Sequence, residues 1–270
     1  MNDEASDLVV YTALFGSYET LVEQPTAMLS AARFICFTDD PSLRSDTWEV
    51  RLVESTVSWD PTRMARSAKI AGYRELGARV SIWIDNRVVL RVIPELIVER
   101  FLGDADIALP IHDHRASVDD EFREVLAAGI DHPWRVREQR YFLERATPDV
   151  LAQIPFWTAI LIRRDTEDVS RAMQIWRDLV FLHSRRDQLS VNYALHVSGV
   201  TVSPMRLVNG ESEIHTWLRA DVLPKKRELL YGHGYRYRLG MKLWDSLIAS
   251  KLYIRVRGRA QRWKWARAAS

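Results

Sequence analysis

The sequence predicts an α/β fold with a largely parallel sheet and helices on both faces. Two observations carry this. Short runs rich in Val, Ile, Phe and Trp alternate with longer stretches of helical periodicity through most of the 270 residues. Several of those runs end in Gly or Asp turn signals, as strands that hand the chain to a helix do. In such sheets ligands bind beyond the carboxyl ends of the strands.

The elements follow in order. Residues 7–16, DLVVYTALFG, read as a strand closed by Gly16, and 32–40, ARFICFTDD, as a second before the turn signal Asp-Asp-Pro. Residues 48–54, WEVRLVE, alternate as a third strand. A helix opens with Asp60 as N-cap and Pro61 in the first turn and closes at Gly77. RVSIWID, 79–85, is the fourth strand, and Val88, Val89 and Leu90 resume its apolar pattern. Residues 93–103 form a short helix and 105–112 a strand. Ser117 caps a helix to Gly129, and another helix runs over 133–147. Residues 156–164, FWTAILIRR, are a buried strand. Helical periodicity spans 167–199 with a break near Ser184, and VTVSP closes the series. The expected division is a larger α/β domain over 1–210 and a basic, aromatic extension over 211–270.

Composition narrows the function classes. Hydrophobic residues make up 47% and charged residues 27%, a globular balance, and a formal charge of +2 does not suit a nucleic-acid binder. Cys36, the single cysteine, excludes an internal disulfide and a zinc–cysteine cluster. No run has the length of a signal peptide or of a membrane span, so cytoplasm is expected. From Lys251 onward stand seven cations and no acid, interleaved with Tyr253, Trp263 and Trp265. That run reads either as a peripheral contact with anionic lipid at the inner membrane face or as a solvated basic terminus.

The polar residues at strand ends carry the chemistry. GxGxxG, GxxxxGK[ST] and GxSxG are all missing. Asp85 interrupts an apolar run where a strand should end, and a carboxylate there is paired, solvated or used. With Asn86 it resembles a degraded DxD, the element that in nucleotide-sugar transferases holds Mg²⁺ or Mn²⁺ on the donor diphosphate, although Arg87 replaces the second acid. Arg63, Arg66 and Lys69 recur at i, i+3, i+6 and read as a diphosphate clamp or a solvated helix face. His112-Asp113-His114 reads as metal ligands or a polar loop. Asp187-Gln188, at the break in the long helical stretch, offers an acceptor base, or an N-cap for the helix that follows.

The stretches VVYTALFGSYETLVEQP, RFICFTDDP, DPTRMARSAKI, SIWIDNRVVL and IWRDLVFLHSRRDQLSVNYAL together resemble the glycosyltransferase-like family of the plant turgor-regulation and mucilage-related proteins, which also has bacterial members. The resemblance covers about 7–204. It implies a GT-A-like, Rossmann-like architecture and a nucleotide-sugar-dependent transferase acting on a polysaccharide or glycolipid acceptor. Tyr11, Thr12, Phe15, Gly16 and Asp39 would line the nucleotide pocket. Arg63, Arg66, Lys69 and Asn86 would face the donor, and His112 and Arg115 would join them through an HxxR element followed by Asp119-Asp120-Glu121. Asp85 would hold a divalent cation, and Asp187 and Gln188 would be catalytic. Asn86 stands where the family commonly has glycine. Two other readings use the same residues: a metal-dependent hydrolase with Asp85 and His112 or His114, and a non-catalytic nucleotide-sugar binding module.

Overall fold

The computed structural model describes residues 7–226 apart from 55, 56 and 58. The basic run 251–270, and most of the proposed extension, lie outside the described residues.

Seven strands form one sheet in the order β3-β2-β1-β4-β7-β6-β8. These are β1 (Leu8–Leu14), β2 (Arg33–Thr38), β3 (Glu49–Leu52), β4 (Val80–Ile84), β6 (Ile107–Pro110), β7 (Ile160–Arg164) and β8 (Val202–Met205). All run parallel except β7, which is antiparallel to both β4 and β6. A second, two-stranded antiparallel sheet pairs β5 (Val88–Leu90) with β9 (His215–Trp217). Period-2 alternation sends Val9, Tyr11, Ala13, Ile35, Phe37 and Trp83 to one face, and Val10, Leu14, Phe34, Cys36, Ile82 and Ile84 to the other.

The first face is covered by α1 (Pro61–Ala71), α6 (Glu167–Leu182) and α7 (Gln188–Ser198), and the second by α2 (Pro94–Phe101) with the small sheet. Helices α3 (Val118–Ala127), α4 (Pro133–Ala146) and α5 (Pro148–Ala152) surround a satellite core built on Val118, Phe122, Val125, Val136, Leu143 and Leu189. The break expected near Ser184 falls between Leu182 and Gln188. The helix expected over 60–77 is α-helical to Ala71 and 3₁₀ from Gly72 to Glu75. Among the described residues no helix is long and apolar enough to cross a membrane.

Strand order reverses between β1 and β4. The chain runs outward from β1 through β2 to β3, then returns to place β4 on the other side of β1. Such a switch point opens a crevice at the carboxyl ends of its two strands.

Candidate functional site

A cleft of about 340 Å³ occupies that crevice. Ala13 lines it from the end of β1, Tyr18 and Glu19 from the loop that follows, and Trp83, Asp85, Asn86 and Arg87 from the end of β4. Pro61, Thr62, Ala65 and Arg66 come from the first turns of α1, Ile130, Arg185 and Arg186 from the connections between helices, and Trp217 and Lys225 from the C-terminal stretch. Five cationic side chains thus line it beside two carboxylates, Glu19 and Asp85.

Helix α1 explains why its three cations part company. Three residues advance the helix by about 300°, so each cation lies about 60° behind the last. Arg63 turns toward the end of α6, where it donates to the carbonyls of Val180 and His183 and pairs with the N-cap Asp60. Arg66 turns to the cleft, with 19% of its side chain exposed. Lys69 turns into the core and is fully buried. The rotation of the helix on the sheet is fixed at its other end. Buried Arg163, on β7, donates to the carbonyls of Lys69 and Ile70, and the Tyr11 hydroxyl also donates to Lys69 O. A guanidinium at a helix C-terminus meets the negative end of the dipole.

A neutral cluster of four charges underlies the cleft. Lys69 Nζ donates to Asp187 Oδ2 at 2.6 Å and to Asp85 Oδ1 at 3.4 Å. Arg66 Nε lies 3.0 Å from Asp187 Oδ1, an ion pair whose angles fall short of a hydrogen bond, and its Nη1 lies 4.0 Å from Asp85 Oδ1. Thr158 Oγ1 donates to Asp187 Oδ2, and Trp83 Nε1 donates to Asp85 Oδ1 at 2.7 Å. Burial raises the pKa of Asp187, but Arg66, Lys69 and Arg186 outweigh it and hold the carboxyl well below the usual range. Burial lowers the Lys69 ammonium against the opposite pull of Asp187 and Asp85. The 2.6 Å contact between them is that of a charged pair.

The sequence-predicted residues divide accordingly. Arg66 and Asp85 line the cleft, as does Asn86. The amide of Asn86 is consumed in holding the loop after β1: Nδ2 donates to Glu19 and Thr20 O, and Oδ1 accepts from Val22 N. Lys69 cannot reach a diphosphate from beneath two carboxylates. Tyr11 and Thr12 are fully buried, and Phe15 is 1% exposed in the core, so none of the three lines the cleft. Gly16, at positive φ, donates its N–H to Asp39 Oδ1, which ties the loops after β1 and β2 together outside the cleft. Asp187, 1% exposed, is neither an accessible base nor a side-chain cap, although it sits at the N-cap position of α7. Gln188 is buried beside it.

The HxxR loop also acts at one remove. Arg115 pairs with buried Glu121, whose other oxygen accepts from Arg186 of the cleft. Neither His112 nor His114 lines the cleft with Asp85, which removes the basis of a shared metal centre.

Tyr18, Trp217 and Lys225 are among the lining residues that escaped the sequence reading. Tyr18 lies in a glycine-led loop, and burial, then Glu19 and Asp85, raise its pKa, so its phenol stays protonated. Trp217 and Lys225 come from a segment with no periodicity of its own. That segment is strapped down by Arg87, which pairs with buried Glu19 and donates to Leu218 O and Leu223 O, and by Lys226 N donating to Tyr18 O. A doubled arginine beside Asp187 was the visible signal for Arg185 and Arg186.

The residues present do not fit a divalent metal. Mg²⁺ manages with one carboxylate plus substrate phosphates, so ligand number does not decide the matter. The neighbours do: of the two carboxylates that line the cleft, Glu19 is held by Arg87 and Asn86, and Asp85 already has an ammonium and a guanidinium within 4.0 Å of Oδ1. Among the described residues no group of three His, Cys, Asp or Glu side chains is arranged to hold a metal ion.

A family model described as TOD1/MUCI70, glycosyltransferase-like domain, matches residues 1–203. No curated protein matches the chain. Among solved structures, the apo structure of the WbbM bifunctional glycosyltransferase is similar at 10% identity and a TM-score of 0.43, covering 76% of this chain. This chain spans 39% of that one.

Proposed function

The chain belongs to the TOD1/MUCI70 glycosyltransferase-like domain family, and from that premise we propose that it moves a sugar from a nucleotide-sugar donor to a polysaccharide or glycolipid acceptor. Its mostly parallel seven-stranded sheet with surrounding helices is a GT-A-like α/β fold. The observation that carries the proposal is the surplus of cations in a crevice at the β1–β4 switch point, where a diphosphate is the matching ligand.

In this reading the donor diphosphate lies against Arg66, with Arg185 and Arg186 adding positive potential from the connection between α6 and α7. Guanidinium groups fixed in advance stabilise the charge that develops on a departing nucleoside diphosphate without reorganising at the moment of reaction. Their fixity comes from buried carboxylates: Asp187 behind Arg66, Asp60 beside Arg185 and Glu121 behind Arg186. Trp217 and Ile130 supply apolar surface for the base or a sugar face. Asp85 Oδ2 makes no hydrogen bond to a described residue and is placed to accept from a sugar hydroxyl.

Incubating the protein with a panel of nucleotide sugars and candidate acceptors, and following nucleoside diphosphate release, tests the proposal. One donor class should be consumed, and Arg66→Gln should reduce the rate by about a hundredfold. Absence of both turnover and binding across the panel would remove the transferase reading.

A further inference from the structure

Resting on that reading, we propose that the donor diphosphate is held and neutralised directly by Arg66, and that no divalent cation bridges it to Asp85. The inference comes from what already occupies the position. A bridging cation must sit between a strand-end carboxylate and the phosphates. Here Lys69 Nζ and Arg66 Nη1 flank Asp85 Oδ1 at 3.4 and 4.0 Å, and Trp83 Nε1 donates to the same atom at 2.7 Å. Oδ1 thus faces two cations and an indole donor of its own protein before any ligand arrives.

The second carboxylate of the cluster cannot help. Asp187 Oδ2 accepts from both Lys69 and Thr158, and Oδ1 faces Arg66. Two negative and two positive charges cancel there, so a dication entering from the cleft meets no net attraction and an ammonium close by. A diphosphate instead meets the further cations that line the cleft, Arg185, Arg186 and Lys225. Arg66 keeps its pairing with Asp187 through Nε and presents the rest of its fork to the cleft. Asp187 becomes the positioning residue: it aims Arg66 and never touches phosphate, while Lys69 neutralises both carboxylates from beneath. The residue chemistry that elsewhere recruits a metal here recruits an arginine.

The test is a calorimetric titration of the full chain with uridine, guanosine, adenosine and cytidine diphosphates, in excess EDTA and again in excess Mn²⁺. At least one diphosphate should bind, with affinities in the two conditions agreeing within about twofold. Asp85→Asn keeps the acceptor oxygen for Trp83 and Lys69 and removes the charge. It should bind that diphosphate as tightly as wild type or more tightly, because Arg66 loses a competing anion. Arg66→Gln should lose about tenfold or more in EDTA. Binding that appears only with Mn²⁺, or a loss of about tenfold in Asp85→Asn, overturns the inference and leaves the transferase reading intact. Failure of every diphosphate in both conditions overturns the two together.

Discussion

Asp187 and Lys69 look, in the sequence, like members of an active site, and the structure makes them its foundation. A fully buried ammonium is tolerated only when its partners are equally buried, and here Asp187 meets that need. Removing one member strands the other. Asp187→Asn should therefore cost about 3–5 kcal/mol of stability, measured by urea unfolding. Linkage fixes the pH dependence. The pKa of Asp187 is lowered in the folded state, so its contribution is fully present above the unfolded carboxyl value of about 4 and is lost as pH falls toward the folded value. The stability gap between wild type and Asp187→Asn should hold above about pH 4 and narrow as pH falls from there to about pH 3. A gap that stays constant over that range would deny the charged pair its role. The i, i+3, i+6 spacing of Arg63, Arg66 and Lys69 was legible, and it fixed their mutual angles. It could not reveal which of the three faces the cleft, because the rotation of α1 is set by Arg163, almost a hundred residues downstream.

At the scale of elements, local signals located most pieces and tertiary pairing supplied the rest. Asp60 and Pro61 announced the start of α1, and the polar run after Leu182 announced the break before α7. Nothing local marked β7 as antiparallel, since a buried strand reads as an apolar run in either direction. The three-residue β9 exists only because β5 offers an edge, and its Trp217 enters the cleft through that pairing. The apparent DxD remnant is a turn between β4 and β5: Asp85 closes one strand, Asn86 clamps the neighbouring loop, and Arg87 holds the stretch that follows β9. Arg87→Ala leaves Glu19 buried with only the Asn86 amide beside it and frees the carbonyls of Leu218 and Leu223. Trypsin should then cut at Arg219 and Lys225 at least about tenfold faster than in wild type, because local opening there no longer breaks a buried ion pair. Equal cleavage rates would show that the strap is held by other contacts.

Across the whole molecule, fold and site share one cause. The reversal of strand order between β1 and β4 opens the crevice, α1 lays its first turns along it, and the connections near Ile130 and Arg185–Arg186 add to its lining. The resemblance carried by the sequence identified this architecture, and the family match over 1–203 agrees with it. Trp217 and Lys225 lie beyond that match, so one side of the cleft is completed by residues outside the shared domain. The central claim is that a nucleotide-sugar diphosphate binds in this crevice against Arg66. A crystal structure of the protein with its tightest-binding nucleoside diphosphate tests it most directly. Phosphate oxygens are expected at about 3 Å from the Arg66 guanidinium, with Arg185 or Arg186 nearby. A nucleotide bound elsewhere, such as the 230 Å³ groove beside Phe15, Phe37 and Met64, with the β1–β4 crevice left to solvent, would contradict it.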